Sequence, residues 1–316
     1  MAPYTINGNT AVDDVTTGVG TITVGSAAPE VTITDYNVVL GENFALNVLY
    51  EATDEVEISV IDATGTAVAF TAADGKVTIA DIPAKNVDMT YTVTVGDKST
   101  TISIKGYCDY IAGTSENANL VALAGSINTY GQAAKNYFDV DNADHAALTV
   151  DSYTASNTTK ALSNTGAVTF KGASVVFGDE VELLFRMENY NREQMFVNDE
   201  LIPESEINNH LSSDGTYVYF SFTVKPAQFS TSYTVRAGSI KAGDLIPEDS
   251  EDYDHTLSPE ENVYRGSSTI TYSVDAYIDV MQATYAGQTS AKALATLNLV
   301  NALGHYGAAA TTYAAN

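Results

Sequence analysis

Residues 126–138 read SINTYGQAAKNYF, and residues 303–313 read LGHYGAAATTY. Each contains the pattern Tyr-Gly-x-Ala-Ala-x-x-Tyr. Around the first, Leu123, Ile127, Tyr130, Ala134 and Tyr137 follow at steps of 4, 3, 4 and 3. Leu299, Leu303, Tyr306, Ala310 and Tyr313 repeat those steps around the second. That spacing predicts one apolar face of a helix in each place. A glycine inside a helix costs about 1 kcal/mol against alanine, so Gly131 and Gly307 need a compensating reason. Close approach of a neighbouring element supplies it, with Ala134 and Ala310 extending a flat strip and the tyrosines wrapping its edges. A ligand-binding box of tyrosines is the alternative reading, and core packing is preferred.

Working outward, Ser103 and Ser273 stand where helix N-caps belong. Tyr107 with Ile111, and Tyr277 with Met281, mark the inner face of a preceding helix. Each Tyr-Gly segment therefore closes a helical hairpin. Upstream, VVLGENFALNVLYE (38–51) aligns without a gap on VVFGDEVELLFRME (175–188), PAKNVDMTYTV (83–93) echoes PAQFSTSYTV (226–235), and ISIKGYCDYI (102–111) matches TYSVDAYIDVM (271–281). Four segments in one order predict a tandem duplication. The β-branched residues and the Gly, Asn and Asp turns from Val31 onward are spaced as in a sandwich. The expected fold is α+β, with two tandem modules, each a β-sandwich-like antiparallel sheet domain ending in a helical hairpin. The expected divisions are 1–29, a flexible tail or edge strand; 30–140, the first module; and 141–316, the second, with an acidic insertion at about 239–265.

The 316 residues suffice for two domains with their own cores. Lys and Arg number 14 against 40 Asp and Glu, a net charge of −26. A field of that sign repels phosphate backbones and anionic lipid, so nucleic acid is not an expected partner. Apolar runs such as LVALAGSI fall short of the ~20 residues that a spanning helix needs, and MAPYTINGNT lacks the basic and apolar regions of a signal peptide. The single cysteine, Cys108, rules out an intrachain disulfide and is expected to be a buried small apolar residue.

Asp139, Asp141 and Asp144 lie close together in DVDNADHAALTVD, and calcium prefers such hard oxygen ligands. Ala143, Asp144 and Val150 occupy positions where an EF-hand loop needs an oxygen ligand, glycine and glutamate, so that motif fails. The segment EDSEDYDH brings together Glu248, Asp249, Glu251, Asp252 and Asp254, either as a solvated charge block or as a loop recruiting cations. In DGTYVYFSF the alternation sets Tyr217 and Tyr219 on one face, either displayed, where rings can stack on sugars, or buried in the core. No HExxH, GxSxG or phosphate loop occurs. No cofactor is expected, with calcium the one ion the acidic segments suit.

PAKNVDMTY, IKGYCDYI and INTYGQAAKNYF, and later ITYSVDAYI and ALGHYGAAATTY, resemble a module at the ends of large surface and secreted proteins of Gram-positive gut and rumen anaerobes. There an AK-M-x-x-Y segment precedes YSV-x-x-Y and LLNYGAAAQ-x-YF. The resemblance implies extracellular or cell-surface placement beside adhesins and polysaccharide-degrading enzymes, and it carries no catalytic residues. The expected function is a non-catalytic adhesion, scaffold or assembly module, with a carbohydrate-binding module as the alternative. Expected partners are a protein or polysaccharide at the cell surface, or further copies of the chain itself.

Overall fold

The computed structural model describes residues 29–40, 44–140, 148–178, 180–190, 194–238 and 266–315, together with the strands within 4–11 and separate positions from 248 to 262. The architecture is mixed α+β, with every strand pairing antiparallel. A short ribbon, β1 (Tyr4–Ile6) with β2 (Asn9–Ala11), lies in the expected tail. The strand-like stretch GTITV lies outside the described residues.

The first half contains β3 (Val31–Val39), β4 (Ala45–Ala52), β5 (Ile58–Asp62), β6 (Thr71–Ala73), β7 (Lys76–Ile79), β8 (Tyr91–Val95) and β9 (Lys98–Ile102), followed by α1 (Ile104–Thr114) and α2 (Ala118–Phe138). The second half contains β10 (Ala161–Ser163), β11 (Thr169–Phe177), β12 (Val181–Glu188), β13 (Met195–Val197), β14 (Glu200–Leu201), α3 (Glu204–His210), β15 (Leu211–Ser213), β16 (Val218–Thr223), β17 (Tyr233–Ala237) and β18 (Ser268–Tyr272). It ends in α4 (Val274–Tyr285) and α5 (Ala291–Ala314).

Pairing order recurs between the halves. The sheet β3-β4-β7-β6 is matched by β11-β12-β16-β15, and β5-β8-β9 by the β13-β17-β18 centre of the sheet β14-β13-β17-β18-β10. Even the irregularity recurs, with a register shift between Ile33 and Asp35 in one half and between Phe170 and Gly172 in the other. Period-two alternation builds the inner faces. Tyr91, Val93 and Val95 point inward from β8 while Thr92 and Thr94 do not; on β12, Val181, Leu183, Phe185 and Met187 are the buried set. These faces belong to one hydrophobic core that also takes in the inner sides of the helices.

The helix starts follow the sequence. Ser103 Oγ accepts from Gly106 N and Ser273 Oγ from Ala276 N, both at 2.9 Å; Asn117 and Ser290 cap α2 and α5 in the same manner. The tight approach at the glycines is real, and its partner is a 3-10 turn at Ala84–Asn86 or Pro226–Gln228. A Cβ on Gly131 would lie 2.5 Å from Val87 Cβ, and one on Gly307 would lie 2.7 Å from Phe229 Cδ2. Val87 and Phe229 close those turns, and their carbonyls accept from Lys105 N and Asp275 N, the second residues of α1 and α4.

The tyrosines depart from expectation. Tyr130 and Tyr306 do not wrap the edges of a strip; they are buried and stack on each other, centroids 5.5 Å apart and 17° from parallel, where α2 meets α5. Phe44 and Phe229 flank Tyr306. The Lys292 ammonium in the first turn of α5 sits 3.4 Å from the ring centroid of Tyr137 in the last turns of α2, so the two helices run antiparallel. Tyr137 also packs on Phe177 of β11, which touches Tyr277 of α4. Tyr313 is the exception to the stripe, being exposed at the end of α5.

Candidate binding surfaces

Tyr219 lies in β16 opposite Arg186 and Ser212, and Tyr217 precedes the strand. Both are partly exposed. The Tyr219 hydroxyl donates to Asp214 Oδ2 at 2.6 Å, while Asp214 Oδ1 accepts from Thr216 N and Tyr217 N at 2.8 Å each. Those donors, the Tyr219 hydroxyl foremost, stabilise the carboxylate and pull the Asp214 carboxyl down to about 2. The Arg186 guanidinium lies 4.8 Å from the Tyr217 ring centroid. The two rings meet edge to face at 64°. The alternation thus brings the two tyrosines together as expected, but as an interlocked cluster whose rings do not form one flat platform.

Of the three aspartates considered for calcium, Asp139 is the C-cap of α2, its N–H donating to Lys135 O; Asp141 and Asp144 lie outside the described residues. Glu248 and Asp249 occupy an exposed turn, and Glu251, Asp252 and Asp254 lie outside the described residues. Among the described residues, no group of three or more His, Cys, Asp or Glu could hold a metal ion. Cys108 is buried, and burial pushes its thiol up to about 12. No described helix is long and apolar enough to cross a membrane.

Sequence reasoning missed two features. Equivalent edges of the two halves carry grooves of different character. One, of about 400 Å³, is lined by Tyr50, Ile58 and Ala72 with Asp54 and Glu55 beside them. The other, of about 640 Å³, is lined by Met195, Leu201, Ile202, Ile207 and Leu211, with Glu204 and Asn208 among them. The second feature is residues 148–160, a strap without helix or strand that hydrogen-bonds to Asn298 and Asn301 of α5 and Asp275 of α4 before entering β10. Strand ends and a linker far apart in sequence make these surfaces, so no local spacing marks them. A signal for the strap existed, because Asn298 and Asn301 interrupt a largely apolar helix.

No family model matches the chain, and no curated protein matches it. Among solved structures, tandem Ig repeats of Dlar align over 67% of this chain and 90% of that one, at 10% identity and a TM-score of 0.20. Tandem Ig domains of titin align over 67% of this chain and 90% of theirs, at 11% identity and a TM-score of 0.18. Further domains from titin align over 67% and 62%, at 12% identity and a TM-score of 0.19. Superpositions at such scores carry no argument about fold or function.

Proposed function

We propose that the chain comprises two copies of one unit, a β-sandwich closed by a helical hairpin, at 30–140 and 141–316. In this reading it serves as a non-catalytic extracellular or cell-surface module for adhesion, scaffolding or assembly. The repeated pairing order, the repeated register shift and the paired glycine contacts at Val87 and Phe229 support the duplication. The observation that carries the functional reading is the junction of α2 with α5. There the aromatic residues that invited a ligand-site reading, Tyr130 and Tyr306, fill each other's packing space. Such a junction holds two sheet units in a fixed relation, which suits a part that spaces or presents its neighbours.

Differential scanning calorimetry of the full chain tests this. A rigid two-unit spacer melts in one transition whose calorimetric and van't Hoff enthalpies agree; two separate transitions refute a fixed junction. Glycan arrays and polysaccharide pull-downs, with and without calcium, test what the module holds. Saturable polysaccharide binding that Tyr217→Ala or Tyr219→Ala abolishes replaces the scaffold reading with the carbohydrate-binding one.

A further inference from the structure

The strap is held in an unusual way, because the helices grip its backbone. Asn298 Oδ1 accepts from Val150 N at 3.0 Å and its Nδ2 donates to Leu148 O at 2.9 Å. Asn301 Oδ1 accepts from Tyr153 N at 3.2 Å, and Gln282 Nε2 donates both to Tyr153 O and to Asn301 Oδ1 at 2.7 Å. His305 Nε2 lies 3.0 Å from Asp151 O. Asp275 Oδ2 accepts from Ser156 N at 2.8 Å, Ser156 Oγ at 2.9 Å and Asn157 N at 3.2 Å, and Ser273 Oγ donates to Asn157 O at 3.1 Å. Eight backbone groups of the strap are thus met by side chains of the α4/α5 hairpin and its cap.

Two strap side chains add selectivity. The Tyr153 ring fills a notch over Gly304, where an added Cβ would lie 2.2 Å from the ring. Asn157 Nδ2 donates to Ser230 O at 2.7 Å and Ser232 Oγ at 2.8 Å. Asp275 is 1% exposed, and its Oδ1 has no hydrogen-bond partner among the described residues. A buried carboxylate oxygen without a donor is costly, so packing needs alone do not account for an aspartate there.

The first helix pair lacks this apparatus. Aligning Tyr130 with Tyr306 and Ser103 with Ser273 puts Ala122, Gly125, Asn128 and Thr129 where α5 has Asn298, Asn301, Gly304 and His305. Lys105 and Ala112 stand for Asp275 and Gln282. Asn128 spends its amide on Asp109 at 2.9 Å. Among the described residues no strap crosses the α1/α2 hairpin, and the amide ladder on α4/α5 has no counterpart in its side chains. Where a surface recognises an extended peptide, hydrogen bonds to the peptide main chain give affinity and pockets for its side chains give specificity.

We propose that the α4/α5 face is a docking groove for an extended peptide in which tyrosine is followed three and four residues later by serine and asparagine. Residues 148–157 are its built-in occupant and compete with such a peptide arriving from outside.

The test uses the full chain and a fluorescent synthetic peptide of residues 148–160. Tyr153→Ala weakens the built-in strap and leaves the groove intact, and Ser156→Ala with Asn157→Ala is an independent chain of the same kind. Hydrogen exchange on each reads whether α4 and α5 stay protected while 148–157 opens. By anisotropy, the peptide is expected to bind the strap-weakened chains saturably and at least tenfold more tightly than the unaltered chain. Gly304→Ala, which obstructs the tyrosine notch, is expected to remove that binding. The proposal is overturned if strap-weakened chains with open 148–157 amides bind no peptide up to millimolar concentration. It is also overturned if Gly304→Ala leaves binding unchanged, or if 148–157 stays fully protected in both strap-weakened chains.

Discussion

The helix pairs α1/α2 and α4/α5 begin from the same caps, place a Tyr-Gly pair at the same point and press that glycine on the same kind of turn, yet they differ in what they carry outside. The first presents Lys105, Asp109 and small residues to solvent; the second wears a strap fastened by Asn298, Asn301 and Asp275. Shared features therefore lie on the inner faces, where packing constrains size and shape, and differences collect where nothing in the hairpin demands a particular residue. Similar interiors fix how the halves join, and dissimilar exteriors are where separate roles arise.

The most severe way to break this comparison is to remove an aromatic ring from the shared interior. Tyr306→Ala is expected to cost about 3–5 kcal/mol, the range for truncating a large buried aromatic, and to split a single melting transition in two, read by calorimetry. The paired glycines come next and should separate the halves. Gly131→Ala drives a Cβ to 2.5 Å from the Cβ stem of Val87, which cannot yield, whereas Gly307→Ala comes to 2.7 Å from the Phe229 ring and only to 3.1 Å from its Cβ, so less has to give. Overpacking of about 1–3 kcal/mol is expected for the first and less for the second, where better helix propensity offsets part of the strain. Urea denaturation of both variants checks the order.

Smaller still is Tyr306→Phe. The Tyr306 hydroxyl is buried without a hydrogen-bond partner among the described residues, so its removal should raise stability by about 1 kcal/mol where most core substitutions lower it. The slightest expected effect lies on the outer face of the second half. Tyr219→Phe takes away the foremost donor holding the Asp214 carboxyl at about 2, so that carboxyl should move up toward its ordinary 3.8. The sign follows from linkage: a depressed carboxyl adds stability above its unfolded value, lost as pH falls through the folded one. In the variant that contribution shrinks and the remainder is lost at higher pH, which carboxyl NMR titration can follow.

Much of the interior was legible before any coordinates. The 4, 3, 4, 3 stripes, the serine caps and the burial of Cys108 depend on residues close in sequence, where helix periodicity and capping chemistry act locally. The partner of each glycine was not legible, because Val87 and Phe229 come from turns far upstream. The stacking of Tyr130 on Tyr306 joins positions in opposite halves, and no period within either stripe encodes it. In sequence, residues 139–166 have the composition of a polar linker leading into one strand. The strand is there as β10, but the polarity that suggested solvent serves the grip of Asp275 and Ser230 on Ser156 and Asn157. Polar residues tell of hydrogen bonding without naming the partner.

Cys108 gives the asymmetry an experimental handle. It is the sole thiol of the chain, buried on the inner face of α1. Alkylating reagents supplied in pulses would therefore clock the opening of the core that α1 shares with Tyr306 of α5, while an intact mass after labelling would certify closed molecules one at a time.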